Sequence, residues 1–278
     1  MCLASLHAQA MAAGAEVVVV DGDGGGWPAE AGRRYPGVTA MSMPGASVLQ
    51  MRARAMAAAR GAIVAVTEDH CRVAPDWCSR LMAAHDEHPD AAVIGGAVDN
   101  GSDTATIHWA SFFIVNGPAM PPLRDGASSK VAGQATVSYK AHVVPRDAPE
   151  RGRMEWMLNE SLRRQGHVLW TDSRIRVSHD QPLTFAEACA IHFHDSKTIA
   201  GFRLFEMSPE ERLLRIAVCA IMAPLLFVRT SAPLAVKRRH TGWLVKSLPM
   251  IGVLCVCRAA GALAGFLVGH GSSPRRIR

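Results

Sequence analysis

Two short apolar runs, each closed by acidic residues, limit what this chain can fold into. Residues 16–20 read EVVVV and end at Asp21; residues 62–66 read AIVAV and end in Thr67, Glu68, Asp69 and His70. Runs this short and β-branched, with no polar alternation, are strands covered on both faces, as in parallel sheets. The Ala-rich stretch 47–60 between them reads as a helix stopped by Gly61. A second helix, from Pro75 to about His85, leads into a third apolar run at 91–94. This β–α–β–α–β order predicts a Rossmann-like α/β domain, a mostly parallel sheet with flanking helices. Ligands of such sheets bind beyond the carboxyl ends of the strands. Both acidic loops therefore fall on one rim.

The remainder is less regular. Residues 1–15 form a helical pattern with Leu3, Leu6 and Met11 on one side. Residues 101–153 hold Gly, Pro and Ser throughout and read as irregular. A helix is expected over 154–165, then short strands at 168–170 and 175–177 closed by His179. Of the 278 residues, 49% are apolar and 19% charged. That is too apolar for a disordered chain and too charged for a polytopic membrane protein. The seven cysteines include no C-x-x-C pair, which argues against a zinc ribbon and for a reducing compartment. The first residues lack the basic-then-apolar pattern of a secretory signal.

Charge is unevenly placed. Residues 1–100 carry a net −4, whereas residues 201–278 hold 12 Lys/Arg against 3 Asp/Glu, net +9. A basic, apolar tail on a near-neutral body argues against nucleic acid and for an anionic membrane surface. Residues 216–228, 247–257 and 259–269 carry no charge, but none reaches the roughly 20 residues of a spanning helix. Pro224 interrupts the first and Arg258 splits the other two. The expectation is a membrane-associated helical region over 206–278 that lies in the interface without crossing.

Four stretches, in order, resemble the family 2 glycosyltransferases of the GT-A fold. They are EVVVVDGDGGG (16–26), MRARAMAAARGAIVAVTEDHCRVAPDW (51–77), ATVSYKAHVV (135–144) and EWMLNESLRRQGHVLWTDSRIRVSH (155–179). The second is the specific one, since it matches the family's Arg-rich helix, buried strand and acidic metal loop together. The resemblance spans about residues 1–205. It departs at the start: Met1 to Leu6 match the family's first helix, so the first strand is lacking. A truncated, non-catalytic relative acting as a membrane-bound partner is therefore the alternative to an enzyme. A nucleotidyltransferase would show a Gly-rich phosphate loop after its first strand, and none is visible.

The resemblance implies an inverting transfer of a sugar from a nucleoside diphosphate sugar to a polysaccharide or lipid-linked acceptor of the cell envelope. The site would face the cytoplasmic side of the membrane. It implies donor binding by Asp21, Asp23, Arg52, Arg54, Glu68 and Asp69. Arg52 and Arg54 point apart on a helix, so one of the two is expected to act. The acidic loop ends in His70 where the family has an acid, so Asp69, His70 and His179 are the expected metal ligands, for Mn²⁺ or Mg²⁺. Glu155 matches the family's catalytic base, with Glu160 as the second choice. His192, His194, Lys197 and Arg203 are weaker candidates for phosphate or site contacts.

Overall fold

The structure is a computed structural model that describes residues 1–25, 27–129, 131, 135–147, 152 and 154–277. In chain order its elements are α1 (Cys2–Ala12), β1 (Val17–Asp21), α2 (Trp27–Arg34), β2 (Val38–Ser42), α3 (Val48–Ala58), β3 (Ile63–Val66) and β4 (Cys71–Val73). There follow α4 (Trp77–Glu87), β5 (Ala91–Asn100), α5 (Thr106–Val115), β6 (Gly126–Ala127), β7 (Val137–Lys140) and α6 (Glu155–Arg164). The last are β8 (Val168–His179), α7 (Phe185–Arg203), α8 (Pro209–Lys237) and α9 (Thr241–Val268). They divide into two compact units. Unit 1 comprises residues 1–101 and 119–180; unit 2 comprises 102–118 and 181–278.

Unit 1 is an α/β layer built on a six-stranded sheet in the order β3-β7-β5-β8-β4, with β6 also on β8. β5 and β8 are parallel, and β7 runs antiparallel to both β3 and β5. Thus β3, β5 and β8 share one direction, with β7, β4 and β6 against them. The three apolar runs do not lie side by side as the element order alone suggests. β7 enters between β3 and β5, and β1 pairs in parallel with β2 in a separate two-stranded sheet. The core under the large sheet joins Met56 of α3, Val64 and Val93 of the strands, Tyr139, and Leu158 and Leu162 of α6. The described part of the 101–153 stretch holds regular elements that its composition does not announce, α5, β6 and β7. The two short strands expected near the end are one continuous strand, β8.

Among the described strands, β1 has a partner on its β2 side only and β3 on its β7 side only. Their starts are joined by Glu16, whose carboxylate accepts from the backbone N–H groups of Arg60 and Gly61. The Cys2 N–H donates to the carbonyl of Asp69 at 3.2 Å, which anchors α1 beside the loop after β3. Val18, Val19 and Val20 stay half-exposed although their side chains favour full burial.

Unit 2 is helical. α9 lies against α7 so closely that two glycines are required. A Cβ at Gly261 would fall 2.1 Å from the carbonyl oxygen of Phe193, and one at Gly265 would fall 2.5 Å from that of Lys197. Arg258, in the middle of α9, donates to Asp195 at 2.9 Å and to Nδ1 of His192 at 3.2 Å. The other nitrogen of His192 meets Ser111 of α5 at 3.1 Å. The charge that seemed to break an apolar run is thus an internal ion pair. α8 begins at a Ser208 cap with Pro209 in its first turn and continues through Pro224 and Pro233. Pro224 does not end it, because Ile216, Cys219 and Met222 pack against Ala262 and Phe266 of α9. That packing offsets the backbone bond each proline removes. Both α8 and α9 are long and apolar enough to cross a membrane by length and composition. They differ in cover: α9 buries Leu244, Ile251, Leu254, Ala262 and Phe266, whereas α8 exposes Leu213, Leu214, Ile221, Leu225 and Val228.

The α7–α9 contact sets a clear expectation. Gly261→Ala should destabilise unit 2 by about 1–3 kcal/mol, because backbone must shift to admit the methyl. Ala260→Ser, one residue away and exposed, should leave the melting temperature unchanged. Thermal denaturation followed by circular dichroism checks both.

Candidate active site

Helix α3 supplies the central residue. Ser47 and Gln50 form a reciprocal capping box that fixes its first turn. Leu49, Ala53 and Met56 then face the core, and Arg52 lies on the same inward side with its side chain 9% exposed. Arg54 points outward and is exposed, as the helical spacing requires.

Arg52 reaches two carboxylates. Its Nη1 donates to Oε2 of Glu155 at 2.9 Å, its Nε lies 2.8 Å from Oε1 of the same group, and its Nη2 donates to Glu68 at 3.0 Å. Glu155 is the first residue of α6 and is 1% exposed. The adjoining turn is braced by Tyr139, whose buried hydroxyl donates to Asn159 at 2.9 Å. Glu160 lies on the outer face of α6, paired with Arg163 and Arg164. Of the two candidate bases, only Glu155 belongs to the cluster.

Glu68 divides its oxygens. Oε1 faces Arg52, while Oε2 lies 3.5 Å from Nε2 of both His70 and His179. Strand pairing brings the histidines together. β4 is antiparallel to β8 with Cys71 opposite His179, so His70, one residue earlier, meets the end of β8. The two Nε2 atoms are 2.9 Å apart and the rings cross nearly at right angles. The second nitrogen of His70 bonds Asp69 at 2.9 Å.

These groups fit a divalent metal. Glu68, His70 and His179 each offer one ligand atom, all within 4.8 Å of one another. The two imidazole Nε2 atoms, 2.9 Å apart, are close enough that both would bind one ion. Asp69 is not among the three. Its side chain is 98% exposed, and it holds His70 from behind, as outer-shell carboxylates orient ligating imidazoles. Glu68 occupies the position expected of Asp69 because its longer side chain folds inward to Arg52.

The electrostatics follow from this arrangement. Burial alone would raise Glu68, but hydrogen bonds from His179 and His70, with the Arg52 charge, hold it well below the usual carboxylate range. Burial would lower His70, yet Asp69 and Glu68 outweigh it and lift His70 from 6.5 to about 9. Burial raises Glu155 despite the pull of Arg52. One guanidinium thus serves two carboxylates of opposite tendency, a pattern suited to separate roles.

The remaining candidates lie elsewhere. Asp21 closes its own loop, accepting from the N–H groups of Asp23 and Gly24 at 3.0 and 3.1 Å. Asp23 is exposed. Neither bonds to the Arg52 cluster in any described contact. His192 and His194 serve unit 2, bonding Ser111 and Ser273, and Lys197 and Arg203 lie on α7. Tyr139 and Asn159 were not singled out in the sequence, although Asn159 falls one helical turn after Glu155.

The raised His70 implies a pH dependence. Its protonated ring contributes stability fully below pH 6.5, and that contribution is lost as pH rises through about 9. Metal-free protein should lose thermal stability across this window, and His70→Gln should flatten the slope. An unchanged slope would separate His70 from the effect.

The sequence model of Glycosyl transferase family 2 matches residues 1–144. Two crystal structures of S. aureus TarS 1–349 are similar to the chain. The one in complex with UDP is 12% identical with a TM-score of 0.42, and the other is 13% identical with a TM-score of 0.41. Each comparison covers 88% of this chain and 80% of that one. No curated protein matches.

Proposed function

The chain belongs to glycosyl transferase family 2, and on that premise we propose that it transfers a sugar from a nucleoside diphosphate sugar to an acceptor hydroxyl, with inversion. The observation that supports this most is the buried Arg52 joined to Glu155 on one side and to the Glu68–His70–His179 cluster on the other. Glu155 takes the acceptor's proton as that oxygen bonds the anomeric carbon and the bond to the diphosphate breaks. Its burial-raised affinity for a proton suits a base working near neutral pH. Arg52 and Glu68 frame the diphosphate, with Asp21 and Asp23 toward the nucleoside. A divalent ion held by Glu68, His70 and His179, with Asp69 behind, would offset charge on the leaving diphosphate. Two imidazole nitrogens favour Mn²⁺ over Mg²⁺.

The acceptor is a polysaccharide or lipid-linked glycan of the cell envelope, and residues 206–278 hold the protein on the cytoplasmic face of the membrane. The exposed apolar side of α8 supports that placement, with the basic residues Lys237, Arg238 and Arg239 at its end. The enclosure of Glu155 favours one second reading, a non-catalytic relative that binds donor without turning it over.

Release of nucleoside diphosphate from a panel of UDP- and GDP-sugars with Mn²⁺ tests the reading. Glu155→Gln should lower turnover by a factor of about 10² or more. His70→Ala with His179→Ala should abolish the Mn²⁺ requirement's effect along with activity. Nucleotide binding with no turnover, whichever sugar is offered, would select the non-catalytic reading.

A further inference from the structure

Glu155 as it stands cannot serve as a base. Its carboxylate is enclosed: Oε2 accepts from Arg52, and Oε1, without a hydrogen bond of its own, lies 2.8 Å from the Arg52 Nε. A base must come within hydrogen-bond reach of the hydroxyl it deprotonates. Some group has to move before chemistry. Helix α6 is poorly suited to move, since Leu158 and Leu162 are in the core and Tyr139 holds Asn159. The α3 backbone is fixed by its capping box and by Leu49, Ala53 and Met56. The remaining freedom lies in the side chain of Arg52, a long stem with several rotatable bonds. We propose that Arg52 couples donor loading to release of Glu155: with no donor it holds the Glu155 carboxylate, and the donor's diphosphate draws it away.

This inference rests on the glycosyltransferase reading. Three anionic groups compete for one guanidinium: Glu155, Glu68 and the diphosphate. The diphosphate offers more charge and a surface suited to bidentate contact with arginine. A cation held by Glu68 with His70 and His179 would also weaken the hold of that carboxylate on Arg52. Departure of Arg52 vacates the space over Glu155, so the acceptor finds a competent base only after the donor is in place. Arg52 in this role is a positioning residue for Glu155, and it makes donor binding and base exposure a single event.

Competition makes a prediction that a purely structural role does not. Arg52 must leave a carboxylate to bind diphosphate, so removing that carboxylate's charge should tighten diphosphate binding. UDP and GDP are titrated calorimetrically, with Mn²⁺, into the full chain, Glu155→Gln, Arg52→Met and the double variant. Glu155→Gln should bind the preferred diphosphate about 3–10-fold more tightly, and the gain should vanish in the Arg52→Met background, as coupled sites require. UMP, which lacks the second phosphate, should show no gain, and Glu160→Gln should match wild type. If Arg52→Met fails to fold, Arg52→Lys and the UMP comparison carry the same test. Unchanged or weaker binding by Glu155→Gln, or a gain that persists without Arg52, overturns the coupling. Absence of UDP and GDP binding to the wild type overturns the glycosyltransferase reading itself.

Discussion

A single buried cation organises unit 1. Arg52 has two carboxylates within about hydrogen-bond distance and little water around it. A charge so enclosed is stable only when paired, and removing one member of such a set typically costs about 3–5 kcal/mol. The constraint extends outward in both directions. Toward α6 it fixes Glu155 at a helix start beside the Tyr139–Asn159 bond. Toward β3 it turns Glu68 inward, and Glu68 in turn faces the two histidines. The fold and the candidate chemistry therefore share one linkage.

Much of this was legible in the sequence, for identifiable reasons. β1 and β3 are short, apolar runs and so read as strands without any partner being known, but the full burial expected of them is not met: β1 is half-exposed and Ala65 of β3 is exposed. Arg52 and Arg54 could be told apart in principle, since a two-residue step turns a helix to its other side. The direction of Glu68 was not legible. An acidic tripeptide in a loop does not say which carboxylate folds inward, and here that depends on a cation sixteen positions earlier. The meeting of His70 with His179 was foreseen only through family resemblance, because it depends on the register between β4 and β8. Three residues of strand in β4 are too few to stand out by periodicity.

In unit 2 composition misled in one respect. Arg258 looks like a break in an apolar helix, yet it lies against Asp195 and His192 and its helix continues past it. A charge within an apolar segment marks a boundary only if it faces an apolar medium; facing a partner, it marks an interior. Prolines behave similarly in α8, where side-chain packing overrides local preference. The apolar faces of α8 are the opposite case: one side packs on α9, while the other is exposed and equally apolar.

The division of unit 2 along the chain has a consequence for how the protein is made. α5 packs against α9, and Trp109 stacks on Trp243 with ring centroids 5.7 Å apart. Thr241, where α9 begins, lies 126 residues after Val115, where α5 ends. At about 5–20 residues per second, α5 leaves the ribosome roughly 6–25 seconds before the helix that covers it. All of unit 1 is synthesised before α9, while Trp109, Phe112 and Phe113 of α5 await that helix. Those aromatics lack their α9 partner throughout that interval. A ribosome stalled short of residue 241 would leave α5 without its α9 cover, an open hydrophobic handle for chaperones or proteases.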